Sequence, residues 1–205
     1  MKVAKIATMA VLAMVAGASA EADELQPNAE RTVTVCLEKS DIRDTMPFAR
    51  MTASKMFADI GVTIQWNLRP DGCPAQGILL RLSRSTPGDF HPGALAYTQL
   101  HEGVNIRIFY DRIIERHDIV QVRTLEAHVL AHEITHVLQA TSRHSDRGVM
   151  KAAWDDTDFI NMAGKPLAFT EDDVDLIYRC LAKRAGRDAS GGKSRNDHGS
   201  EGIKQ

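Results

Sequence analysis

The strongest constraint on how this chain folds is the pattern His132-Glu133-Ile134-Thr135-His136, set inside one long apolar-periodic segment. From Asp118 to Ala140 the residues Val122, Leu125, Val129, Ile134, Val137 and Leu138 recur near helical spacing, and Asp118 with Gln121 forms a capping box at the start. The segment therefore reads as one largely buried helix. Histidines four apart lie one above the other on a helix face, so both imidazoles can reach a single ion. Glu133 follows the first of them and can take a proton beside the metal without binding it. Polar groups buried on such a helix are costly without partners, and a metal satisfies both imidazoles at once. His144 and then Gly148-Val149-Met150 follow downstream.

The remaining chain alternates between periods of two and 3.6. Thr32 to Leu37 reads as a half-buried strand, with Val33, Val35 and Leu37 on one face. Thr45 to Ile60 reads as a helix with an apolar face of Ala49, Ala53, Met56, Phe57 and Ile60, Pro47 in its first turn and Gly61 as its stop. Val62 to Trp66 is a second strand, and Ile78, Leu80 and Leu82 mark a third. Two prolines and two glycines make Ser85 to Gly93 an exposed loop. Ala94 to Leu100 and Val104 to Tyr110 pair as a hairpin turning around His101-Glu102-Gly103. After His144 an irregular segment is expected until Thr170, which with Asp173 opens a last helix running to about Lys183.

Residues 1–20 have a charged start, an apolar core from Ile6 to Val15 and an Ala18-Ser19-Ala20 site, the pattern of a cleaved secretory signal peptide. The expected organisation is a flexible lead-in at 21–31, a folded domain at 32–184 and a disordered tail at 185–205. Localisation is accordingly secreted or periplasmic, with no integral membrane segment once the signal is cleaved. The whole chain carries 25 basic and 27 acidic residues, and no basic stripe argues for nucleic acid as a partner. Export makes one disulfide reasonable among Cys36, Cys73 and Cys180. The sequence leaves three pairings open. We favour Cys36–Cys73, since both lie near the ends of segments expected to be neighbours in the sheet.

From His132 to Met150 the chain resembles the zincin metallopeptidases, and among them the matrixin-like metzincins. Their motif is H-E-x-x-H-x-x-G-x-x-H followed by a turn that carries a methionine. His132, Glu133 and His136 match directly. His144-Ser145 resembles the third ligand with its trailing serine, and Gly148-Val149-Met150 resembles the methionine turn. The region is also similar to a group of exported bacterial proteins with an H-E-I-G-H…H-S…G-I-M signature. Two departures stand out: His144 comes eight residues after His136 rather than six, and Gln139 replaces the glycine, so the turn is expected within Ala140 to Arg143.

The resemblance implies an α/β (α+β) fold, with a small mixed twisted sheet against a first helix and the metal-site helix, and a short C-terminal part ending in a helix. It implies Zn²⁺ held by His132, His136 and His144, Glu133 as general base, and Met150 as an apolar floor that binds no metal. The activity implied is hydrolysis of a peptide or protein substrate lying along an edge strand near Ala94 to Tyr97. Two alternatives stay open: a zinc-binding structural or interaction domain without turnover, and a metal-free exported binding protein. Other residues have plainer explanations. His128 reads as a core histidine, and His91, His101 and His117 as exposed. Asp155, Asp156 and Asp158 would suit calcium but read as a solvated acidic loop. Tyr97 and Tyr110 read as packing residues of an edge strand or the core. Glu171 is the rival third ligand, though a carboxylate in a first helical turn is already explained by the helix dipole.

Overall fold

A computed structural model of the chain describes residues 31–39, 45–100, 105–115 and 118–191. The expected signal peptide, most of the lead-in, the turn at 101–103 and His117 lie outside these residues. Elements run in the order β1 (Thr32–Leu37), α1 (Met46–Ala58), β2 (Thr63–Asn67), β3 (Ile78–Ser83), β4 (Ala96–Gln99), β5 (Asn105–Phe109), α2 (Tyr110–Ile114), α3 (Ile119–Gln139), α4 (Asp156–Gly164) and α5 (Glu171–Gly191). The fold is mixed α/β. Among the described residues a five-stranded sheet has the order β2-β1-β3-β5-β4, all parallel except the antiparallel β4–β5 pair.

Strand register sorts the side chains by face. Val33, Val35, Ile64, Ile78, Leu80, Leu82, Ile106 and Ile108 fall on one face by their pairing, and all are buried beneath the helices. The other face carries Thr34, Gln65, Arg81, Arg107 and Tyr97. Ala96 and Thr98 pair with Ile108 and Ile106, so they face the helical layer, where α3 lies. That register brings the edge strand onto α3.

Helix α3 begins at the expected capping box, with the Asp118 carboxylate accepting from the amides of Val120 and Gln121. From Leu125 to Gln139 every residue is buried, enclosed by α1, the sheet and the chain that follows. Burial of Leu130, Ile134 and Leu138 on one side would by itself stabilise a helix by several kcal/mol, at roughly 1.5–3 kcal/mol per side chain. Helix α1 has Pro in its first turn, and Gly61 after it adopts φ +67°. Cys36 and Cys73 form the disulfide, as favoured from the sequence, leaving Cys180 free. Gly77 makes room for it: a Cβ there would lie 2.7 Å from the Cys73 sulfur.

Four expectations need correction. The chain between His144 and Thr170 is not irregular throughout, because Asp156–Gly164 is helical. The three acidic residues are not a solvated loop: Asp155 caps this helix, Asp158 completes its capping box, and Lys151 bonds to both. What read as a polar loop is a helix start, where carboxylates meet free amides. Tyr110 ends the hairpin strand early and opens α2. The last helix passes Lys183 and continues to Gly191; the rest of the expected tail lies outside the described residues. A helix already nucleated by packing adds further residues at little cost, whatever their polarity.

Candidate metal centre

Three imidazoles meet at the C-terminal end of α3, and their ligand atoms lie within 4.8 Å of one another. Each of the first two is oriented by a backbone carbonyl. The His132 Nδ1–H donates to Val149 O at 2.9 Å, and the His136 Nδ1–H donates to Thr141 O at 2.9 Å. With Nδ1 protonated in both, each Nε2 carries a bare lone pair, and these two nitrogens stand 3.0 Å apart. Two lone pairs facing at that distance repel unless a cation lies between them. Ligand nitrogens on a tetrahedral zinc would be about 3.3 Å apart. The donor set and its spacing therefore fit a borderline metal ion. Burial holds the His132 pKa down to about 4, helped by its two neighbouring imidazoles, and burial also lowers His136 and His144. All three are neutral at physiological pH, the form that binds metal.

His144 is more exposed and completes the cluster from a loop, its ring centroid 5.2 Å from that of His132 and 4.9 Å from that of His136. Two turns make this possible. Helix α3 stops at Gln139 because Ala140 is left-handed, at φ 51°, and the Thr141 amide returns to His136 O. The turn falls at the start of the expected span, and an alanine takes the conformation usually given to glycine. The chain then closes through Ser145 N–H to Met150 O at 2.8 Å, with Gly148 at φ 77°. Only glycine fits there: a Cβ would come 2.3 Å from Ala168 O. Val149 thus presents its carbonyl to His132, and Met150 beside it is wholly buried.

Glu133 is buried beside the three imidazoles, and the Thr98 hydroxyl donates to its Oε2. Burial pushes the carboxyl pKa up to about 7, against the opposing effect of the Thr98 hydrogen bond. The group lines an open cleft of about 970 Å³ together with Thr98, His132, His136, His144 and Trp154. Trp154 meets His132 edge-on, with centroids 5.7 Å apart. The arrangement can hold an ion with one side open, and can move a proton next to it.

The other candidates are resolved in plainer ways. His128 is fully buried; its Nδ1–H donates to Thr124 O and its Nε2 accepts from the Leu167 amide, so neither nitrogen is left for a ligand role. His91 is exposed and accepts from the Gly93 amide. Tyr97 is exposed on β4 against Phe90, while Tyr110 packs half-buried near Thr45. Glu171 is exposed in the first turn of α5 and is not part of the histidine cluster.

Three residues escaped the sequence reading. Thr98 was detectable in principle, because strand alternation puts it on the helix-facing side. Trp154 and Asp173 gave no signal as site residues; Asp173 was visible only as the capping partner of Thr170. In the fold its carboxylate is buried and accepts from Ser145 Oγ at 2.6 Å and from Thr170 Oγ1 at 2.7 Å. Burial alone would raise its pKa, but those bonds hold it below the usual carboxylate range.

No family model and no curated protein matches the sequence. Among solved structures the chain is similar to archaemetzincin from Methanopyrus kandleri, at 12% sequence identity and a TM-score of 0.47, over 77% of this chain and 99% of that one.

Proposed function

We propose that this protein is an exported zinc-dependent endopeptidase. The observation that carries the reading is the set of three converging imidazoles, two with their Nδ1–H committed to backbone carbonyls, beside the buried Glu133 at the floor of an open cleft. An all-nitrogen donor set with an open side suits Zn²⁺ in a catalytic site. A zinc ion held by His132, His136 and His144 would supply a Lewis acid and make a water nucleophilic near neutral pH. Glu133 accepts the proton released when water attacks the scissile carbonyl and passes it to the leaving amine. Thr98 keeps that carboxylate turned into the cleft. The substrate is an extended peptide or protein segment, pairing with the outer edge of β4, where the ladder ends. The signal-like pattern of residues 1–20 supports the exported part of this reading, with a mature protein in the periplasm or outside the cell.

The test combines metal analysis of the purified protein with cleavage of an unfolded protein substrate, with and without chelator. One zinc per chain and chelator-sensitive cleavage are expected. Glu133→Gln should retain zinc yet lose turnover by ~10²–10⁴-fold, the usual contribution of a general base. A zinc-loaded wild-type protein that cleaves nothing would favour the structural zinc domain instead.

A further inference from the structure

We propose that Asp173 of α5 is the positioning residue for the third imidazole, fixing the span between α3 and the Gly148 turn so that His144 reaches His132 and His136. The inference rests on the metal reading above. It starts from an oddity of the loop. Among the described residues, no hydrogen bond reaches the His144 ring, and the ring is exposed. Its position must therefore come from the backbone on either side. A loop of that kind, without a hydrogen-bond ladder, is ordinarily among the mobile parts of a fold.

Both flanks of His144 end on one carboxylate oxygen. Ser145 Oγ donates to Asp173 Oδ1 at 2.6 Å, and Arg143 Nη1 lies 3.4 Å from the same oxygen. At the near end of the span, Gln139 donates from Nε2 to the Asp173 backbone carbonyl at 3.1 Å. Gln139 stands where a short spacing would need glycine, so the residue that departs from the motif is the one that docks on α5. Asp173 itself cannot swing away. Its other oxygen, Oδ2, receives the Thr170 amide at 3.0 Å and the Thr170 hydroxyl at 2.7 Å, and its side chain is fully buried.

The plainer account is that Asp173 only caps α5. The division of labour between its oxygens argues otherwise. Capping occupies Oδ2, while Oδ1 points back to the loop and is used by residues 143 and 145 alone, apart from a long 3.5 Å approach of Gln139. Ser145 is also held by its amide to Met150 O, so the hydroxyl contact sets the tilt of a residue already anchored at one point. Groups that orient metal ligands from outside commonly change affinity by ~10–100-fold when removed.

The experiment measures zinc affinity by competition with a chromophoric chelator, alongside the melting temperature of the metal-free full chain. Ser145→Ala removes the hydroxyl contact to Oδ1 and leaves the cap, so it should lower zinc affinity by about tenfold or more, beyond the modest fall in metal-free melting expected from losing one buried hydrogen bond. Ser145→Thr should restore affinity. Asp173→Ala should lose affinity at least as far and also lose stability; if it does not fold, the serine pair decides. Thr170→Ala should lower the melting temperature but, with the Thr170 amide still on Oδ2, cost less zinc affinity than Ser145→Ala. Wild-type affinity in Ser145→Ala, with His144→Ala strongly impaired, would overturn the positioning role and leave the metal reading standing. Wild-type affinity in His144→Ala would remove the ligand assignment and this inference with it.

Discussion

Glu126 lies two turns before Glu133 on the same helix and is fully buried. Neither of its oxygens makes a well-formed hydrogen bond; Thr45 is near enough to favour the charged form, but burial dominates and pushes the pKa up to about 7, against an ordinary value of 4.5. The folded chain therefore keeps a proton that the unfolded chain has released between about pH 4.5 and 7. Stability falls as pH rises through that window and levels off above it. Glu126→Gln should remove this slope. Relative to wild type, the variant should gain up to about 3 kcal/mol between pH 4.5 and pH 8, since each tenfold change in proton affinity on folding is worth roughly 1.4 kcal/mol. Urea melts at both ends of the range measure it, and parallel pH profiles would show that the carboxyl is not the cause.

Two turns carry the site at the scale of elements, and they respond to glycine in opposite ways. Ala140 bears the steric cost of the left-handed region, so Ala140→Gly should stabilise the protein by about 0.5–1 kcal/mol, the relief exceeding the added freedom of the unfolded chain. Gly148→Ala should do the reverse. Its Cβ meets Ala168 O, the turn must shift, and the Val149 carbonyl would leave His132. A loss of about 2 kcal/mol or more is expected, together with weaker zinc binding. Denaturant titrations of the two variants decide the sign, and a destabilised Ala140→Gly would refute the strain argument.

For the whole molecule, a disulfide supports the core, and a metal in the proposed site would support it further. The Cys36–Cys73 bridge ties β1 to the loop after β2 across a separation of 37 residues, and a closed loop of that length is worth about 3–4 kcal/mol. Reduction should lower the melting temperature without moving the metal site, since the sheet's hydrogen bonds between β1, β2 and β3 remain. An ion in the histidine cluster would add a second tie, joining α3 to the loop that carries His144. At a hundredfold excess over its dissociation constant a bound ion adds about 2.7 kcal/mol. Chelation should lower the melting temperature and zinc should restore it, whereas reduction and chelation should combine additively, because the two sites share no partners.

Features that depend on neighbours along the chain were legible before any fold was known. The capping box at Asp118, the apolar stripe of α3, Pro47 and Gly61 around α1, and the one-turn separation of His132 and His136 are all local, so periodicity and end signals sufficed to read them. The strand segments and the hairpin were legible for the same reason. The capped start of α4 at Asp155 is equally local, but three aspartates so close together read more readily as solvated polarity than as a helix end. Packing settled the rest. That Thr98 reaches Glu133 follows from β4 pairing with β5 in one register, and that Val149 orients His132 follows from a turn pressed against Ala168. Asp173 joins the site only because α5 packs beside the end of α3, bringing it to Ser145 across 28 positions of sequence. No local pattern records such a contact: it comes from α5 packing against α3.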